Sequence, residues 1–317
     1  MLLKETYCIK RKKDVLIFLI TLIFICQVHF VVKSHKIGKK VIKLYKGCRI
    51  MNDIFRQASE SLLLFDQWEH VVVAFTTKRG GVSTGPFATL NVGMHVQDDP
   101  TVVYHNRQKV ADELNVSLDR WVCADQVHGV HIEKVTKEHA GKGVRTYDTA
   151  LPHTDGLYTS ERDIMLALCF ADCVPLYFFA PSKKLIGAAH AGWKGTVHNI
   201  AGEMVKRWNE EGVDARDIHV VIGPSIGRCC YVVDDRVIEF VQKALVNSPQ
   251  SLYNETSKGQ YALDLKEMNK QLLQQAGVPS EHIAVSSYCT SCEQSLFFSH
   301  RRDGGKTGRM MALIGWR

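Results

Sequence analysis

Three short runs set the terms for this chain: IMLALCF at 164–170, PLYFFA at 175–180 and LIGAAHA at 185–191. Each has the length of a strand, is bounded by Gly, Pro or Asp, and is apolar nearly throughout instead of alternating. A strand without a polar face must be covered on both sides, so these runs call for layers above and below the sheet. Further strand candidates lie at 71–77, 130–136, 218–223, 283–288 and 309–316. Apolar residues recurring at three and four predict helices over 101–115, 196–211, 234–246 and 264–276, with Thr196 or Gly195 capping the second. The two element types mix without strict βαβ alternation. That predicts one α/β domain with mixed sheets, not a doubly wound parallel sheet.

With 317 residues, 45% of them apolar, the chain can bury a core in one large domain or two small ones. The net charge of +7 conceals a division. Residues 1–50 hold 12 Lys/Arg against 2 Asp/Glu, whereas the remainder holds 28 against 31. The body is slightly acidic, so nothing in its charge asks for nucleic acid. Residues 1–50 form a basic, apolar extension. KRKKD followed by VLIFLITLIFICQVHFVV reads as a signal peptide or a membrane anchor at the lower edge of spanning length. A third reading is a wrong start. MNDIF from Met51 resembles the beginning of a soluble chain, and the codons of Lys46-Gly47 can spell a ribosome-binding sequence. The expected division is therefore 1–50 as extension and 51–317 as the functional domain. The seven cysteines of the body, at 123, 169, 173, 229, 230, 289 and 292, follow no secreted disulfide spacing, and free thiols point to the cytoplasm.

Three residues carry the strongest chemical signal. Cys173 ends ADC between two apolar strands, with Asp172 beside it and Pro175 forcing a turn or an edge. His190 lies in AAHAGWKGT, where small neighbours allow close approach of another group and Lys194 favours anions. His128 stands before Gly129 in DQVHGVHI. Taken singly, each also reads as a buried or strand-end residue. Taken together, two imidazoles and a thiolate make a three-ligand zinc site with an open fourth position. The same atoms also suit a Cys173 nucleophile with a histidine base.

TTKRGGVSTGPFATLNVG at 76–93 offers Arg79, Ser83, Thr84 and backbone amides as an anion cradle, although it lacks a P-loop ending and also reads as a plain Gly-rich hairpin. CTSC at Cys289 and Cys292, and the pair Cys229-Cys230, read as structural or incidental thiols. FFSHRRDGGKTGRM brings Arg301, Arg302, Lys306 and Arg309 together, as a solvated basic turn or part of an anion site.

The motifs FTTKRGGVSTGPFATLNVG, NRQKV, DQVHGVHI, TDGLYTS, ADCVPLYFF, AAHAGWKGT, IGPSIGRCCYVV and FFSHRRDGGKTGRM occur in the order found in the bacterial laccase-domain family. The chain resembles that family from about residue 70 to 317, while residues 1–50 have no counterpart there, as a wrong start would leave them. The resemblance implies a single four-layer α/β/β/α domain. It implies zinc on His128, Cys173 and His190. It also implies phosphate-dependent cleavage of adenosine, inosine and methylthioadenosine, with adenosine deamination. In that scheme Asp172 is the expected acid/base group, and Arg79 and Ser83 are expected to hold phosphate or ribose oxygens. The alternatives are a copper-dependent phenol oxidase, for which the chain lacks His-x-His pairs, a Cys173 hydrolase, and a membrane-tethered binding module.

Overall fold

The computed structural model describes residues 53–245 and 251–317. The extension at 1–50, with its readings as wrong start, signal or anchor, lies outside the described residues, as does the last residue of the helix expected over 234–246.

Alternation within the apolar strands explains the architecture. In β7 (Met165–Phe170) Leu166, Leu168 and Phe170 point into one core, while Met165 and Ala167 point into another. The strand needs two apolar faces because both are covered. It belongs to a six-stranded sheet ordered β1 (Arg56–Gln57), β2 (Leu62–Phe65), β3 (Val71–Thr76), β15 (Met310–Trp316), β7, β4 (Trp121–Cys123). Its outer face packs on Val110 and Ala111 of α1 (Pro100–Leu114).

The second six-stranded sheet runs β14 (Ile283–Val285), β10 (His219–Ile222), β8 (Val174–Ala180), β9 (Leu185–Ala191), β6 (Gly156–Thr159), β5 (Ile132–Lys134). Leu176 and Phe178 of β8 face outward to a helical layer, while Tyr177 faces the first sheet. That layer holds α2 (Trp193–Val197), α3 (Ile200–Glu210), α4 (Asp235–Ala244) and α5 (Leu265–Gln275). Helix, sheet, sheet and helices stack in four layers. Both sheets are mixed: β4 pairs with β7 in parallel and β15 with β7 antiparallel, while β5–β6 and β10–β14 are the parallel pairs of the second sheet. A third sheet, β11 (Val232–Asp234), β13 (Gln260–Leu263), β12 (Tyr253–Ser257), packs beside the helical layer.

The helix expected over 196–211 is two helices. Asn199 takes a left-handed φ of 63° and caps α3 by accepting from the Gly202 amide, which breaks the run. Gly192, not Gly195 or Thr196, stands at the N-cap of α2. Among the described residues no helix is long and apolar enough to cross a membrane.

The two sheets are also joined by one buried polar contact. The Tyr177 hydroxyl donates to the Ala74 carbonyl at 2.8 Å across the central core. Tyr177→Phe should lower stability by about 1–2 kcal/mol. Urea unfolding would register this as an earlier midpoint with an unchanged m-value.

Candidate metal centre and its cavity

The strand order of the second sheet assembles the site. Register places Pro175 opposite His190, so Cys173, just before β8, lies beside the end of β9. On the other side of β9, Gly156 pairs with Ala189, which puts Asp155 next to His190. Gly156 also pairs with Ile132 of β5, whose approach carries His128. Four neighbouring strands, β8, β9, β6 and β5, thus deliver four functional side chains to one end of one sheet.

The ligand-bearing atoms of His128, Cys173 and His190 lie within 4.8 Å of one another. Cys173 Sγ is 3.9 Å from His128 Nε2, and the two imidazole centroids are 4.7 Å apart and nearly perpendicular. His190 is buried, Cys173 half-buried and His128 exposed, so the cluster opens to one side. Room for the sulfur depends on Gly192. A Cβ there would sit 2.9 Å from His128 Cδ2 and 3.1 Å from Cys173 Sγ. Soft sulfur with two imidazoles suits zinc or copper, and the open side leaves a position for a reactant.

Asp155 organises the cluster. Its fully buried carboxylate accepts from His190 Nδ1 at 2.8 Å and from the backbone amides of His128, Gly129 and Val127 at 3.0, 2.7 and 3.2 Å. Because an ionised carboxylate only accepts, His190 must donate from Nδ1 and keep Nε2 for the cluster. Burial alone would raise the Asp155 carboxyl, but His190 and the amides outweigh it and hold it below the usual value. The expectations from sequence assigned Asp155 no role. Its one signal was an Asp directly before the strand that opens TDGLYTS.

Burial opposes the Cys173 thiolate, but the His190 imidazole, with His128 beside it, overrides that cost and brings the thiol down to about 6. Burial likewise opposes a charged His190, but the Cys173 thiolate and Asp155 raise it to about 9. In the metal-free chain the two form a thiolate–imidazolium pair between about pH 6 and about pH 9. Its contribution to stability fades below the window as Cys173 gains a proton, and above it as His190 loses one.

The cluster lies on the wall of a cavity of about 480 Å³. Lys194, Arg301 and Arg309 also line it, and among the described residues Asp172 is the only carboxylate that does. Both basic segments therefore take part: AGWKG supplies Lys194, and the C-terminal turn supplies two arginines. Asp172 accepts from Thr290 Oγ1 at 2.6 Å, Ser299 Oγ at 3.0 Å and the Arg301 amide at 2.7 Å. These donors tie the turn before Cys173 to the loops that carry the arginines. His128 and Asp172 adopt left-handed φ values of 63° and 87°, uncommon for residues with a Cβ, and both stand at this site.

Arg79 and Ser83, expected to form an anion cradle within 76–93, lie in the loop between β3 and α1. Neither lines the cavity. Arg79 Nε donates to the Ser295 carbonyl, while buried Ser83 donates to Asp98 and accepts from Asn106. Arg79 Nε and the Ser83 hydroxyl thus bond to neighbouring loops and α1, and Lys194, Arg301 and Arg309 are the cations that line the cavity.

Residues 72–317 match the model of the family described as multi-copper polyphenol oxidoreductase laccase. The chain belongs to this family. It is 54% identical over 270 residues to "Purine nucleoside phosphorylase YlmD" of Geobacillus stearothermophilus, covering 84% of this chain and 98% of that one. It is 52% identical over 271 residues to the protein of the same name from Bacillus subtilis, covering 83% and 97%. The crystal structure of YlmD from Geobacillus stearothermophilus superposes with a TM-score of 0.82 at 55% identity, covering 84% of this chain and all of that one. The shared fold carries the four-layer arrangement with it.

Two measurements check the site. In metal-free protein, Cys173 should be alkylated by iodoacetamide with a midpoint near pH 6, about two to three units below an ordinary thiol, and metal should protect it. Asp155→Asn turns an acceptor into a donor facing backbone N–H groups, and should weaken metal binding by roughly 10–100-fold in a chelator competition.

Proposed function

We propose that the chain is a zinc-dependent purine nucleoside phosphorylase. It splits adenosine, inosine and S-methyl-5'-thioadenosine with phosphate into free base and ribose 1-phosphate or its methylthio counterpart, and it deaminates adenosine as a side activity. The observation that carries the proposal is the convergence of His128, Cys173 and His190 at a cavity whose wall also bears three cations and one carboxylate. Two relatives more than 50% identical carry the name of that activity, which supports the same reading.

Phosphorolysis forms a bond from a phosphate oxygen to the anomeric carbon and breaks the bond from that carbon to the purine nitrogen. The bond's electron pair leaves with the base, which must then gain a proton. A divalent ion on His128, Cys173 and His190 supplies Lewis acidity at the open side of the cluster. Lys194, Arg301 and Arg309 bind and orient the phosphate anion by charge-assisted hydrogen bonds. Asp172 is assigned the proton transfers, as the cavity's only carboxylate among the described residues. In deamination, water adds at the purine C6 and ammonia leaves, and Asp172 moves the proton between them. A cavity of about 480 Å³ is in the range that encloses a nucleoside-sized ligand. Purine nucleosides and phosphate are the partners of this scheme, and the cytoplasm is its compartment.

Two observations favour other readings. The family description names copper and phenols, and a copper ion fits a His₂Cys set. A multicopper oxidase needs further imidazole clusters, and among the described residues the other group able to hold a metal is made of cysteines. The thiolate–imidazolium pair is the ground state of a cysteine hydrolase, which would work without metal.

Purified protein incubated with adenosine decides between them. Adenine and ribose 1-phosphate formed only when phosphate is present is the expected result. Inosine as the main product, without phosphate, would make deamination the primary activity. Inertness to nucleosides with rapid oxygen uptake on phenols would favour the oxidase. Within the phosphorylase scheme, Lys194→Met or Arg309→Met should raise KM for phosphate roughly 10–100-fold. Asp172→Asn should lower kcat at least about tenfold while zinc is retained.

A further inference from the structure

We propose that Cys229, Cys230, Cys289 and Cys292 form a second metal centre, a structural tetrathiolate site for zinc. The four sulfurs lie within 4.8 Å of one another. Cys292 Sγ is 3.5 Å from Cys229 Sγ and 3.4 Å from Cys230 Sγ. A disulfide requires about 2.05 Å. A tetrahedral zinc with bonds of about 2.3 Å spaces its sulfurs roughly 3.8 Å apart. The cluster is close to the second spacing and far from the first.

The backbone has been folded to make it. Adjacent cysteines in an extended chain point to opposite faces. Here the amides of Cys230 and Tyr231 both donate to the Gly227 carbonyl, curling 227–231 into a turn that presents both thiols to one point. Opposite them, the CTSC segment closes its own turn, with Glu293 N bonded to the Cys289 carbonyl and Gln294 N to that of Cys292. A bridge between Ser225 and Cys289 aligns the two segments. The Gly227 amide donates to Cys289 Sγ at 3.2 Å, as amides do around metal-bound thiolates. A Cβ at Gly227 would come within 3.3 Å of Cys229 Sγ, so glycine leaves the sulfurs their space.

Charge favours the same ligand. Four thiolates this close repel strongly unless a cation lies between them, and soft thiolates select zinc over magnesium or calcium. Lys266 is buried beside the site and donates to the carbonyls of Ser286 and Tyr288, next to Cys289, which adds positive charge where a dianionic tetrathiolate would need it. Cys229 and Cys292 are exposed, so an ion can enter and leave. The metal would cross-link the segment after β10, which carries the cavity residues Ile226 and Tyr231, to the loop holding Thr290, the partner of Asp172.

Elemental analysis of the full chain, purified from zinc-replete medium without chelator, reads the proposal directly. Wild type should carry about two zinc equivalents, and Cys173→Ser and the double variant Cys229→Ser/Cys292→Ser about one each. Cobalt-exchanged protein should show strong sulfur-to-cobalt charge transfer that persists in Cys173→Ser and falls, in the double variant, to the weaker intensity of a site with a single thiolate. As a readout independent of the variant's folding, wild type is also titrated with a mercurial in the presence of a zinc indicator. Release of zinc in step with modification of these four thiols supports the site. Wild type with a single equivalent that disappears in Cys173→Ser, or a disulfide among the four cysteines in freshly purified protein, would overturn it. Neither outcome depends on the reaction catalysed at the first centre.

Discussion

The buried carboxylate of Asp155 is the constraint on which the rest of the site depends. An ion in the space between two sheets is expensive unless its lone pairs are met, and Asp155 meets that requirement with one imidazole and three backbone amides. The same bonds define the site. The amides hold the loop of residues 127–129 against the end of β6, which determines where His128 can point. The imidazole bond orients His190 and selects its tautomer. Cys173 then completes a cluster whose other members are already in place. One buried carboxylate thus sets the geometry of both histidines of the cluster.

The layered fold has a matching role. At one end of the second sheet the strand termini of β5, β6, β8 and β9 collect polar residues that the core between the sheets could not tolerate. Phe170 packs against the His190 ring at 5.3 Å, so the apolar core reaches directly to the His–Cys–His cluster. The slightly acidic body is locally reversed here, since Lys194, Arg301 and Arg309 converge on one cavity. Asp172 links the two halves of that cavity: its backbone leads into Cys173, and its side chain binds the loops of Thr290, Ser299 and Arg301.

What could be read beforehand follows from which forces are local. The long apolar strands and the capped helices express period and propensity, and β3, β7, β8, β9, β10 and β15 appear within a residue or so of their expected bounds. Strands β4 and β6 and the sheet of β11, β12 and β13 were not anticipated, because short segments depend on partners distant in the chain. The split at Asn199 turns on one left-handed residue inside an otherwise helical pattern. His128, Cys173 and His190 were legible because Cys and His are rare and chemically distinctive. Asp155 was not, since an Asp before a strand is ordinary until its four donors are known. At Arg79 and Ser83 a Gly-rich loop with a cation and hydroxyls looks like a ligand site in the sequence, and its Nε and hydroxyl bond to neighbouring protein groups. Pair by pair the four cysteines read as structural or incidental thiols, and their interest arises only when a turn brings two distant pairs to one point.

The central claim is that the metal held by His128, Cys173 and His190 is the one on which nucleoside cleavage depends. Anomalous diffraction at the zinc edge, collected on wild type and on Cys173→Ser and paired with phosphorolysis rates for the same preparations, tests it most directly. The account predicts a peak bounded by Cys173 Sγ and the two imidazoles in wild type, and its loss together with activity in the variant. A wild-type crystal with no peak there, or a variant that loses the peak and still cleaves adenosine with phosphate at the wild-type rate, would contradict it.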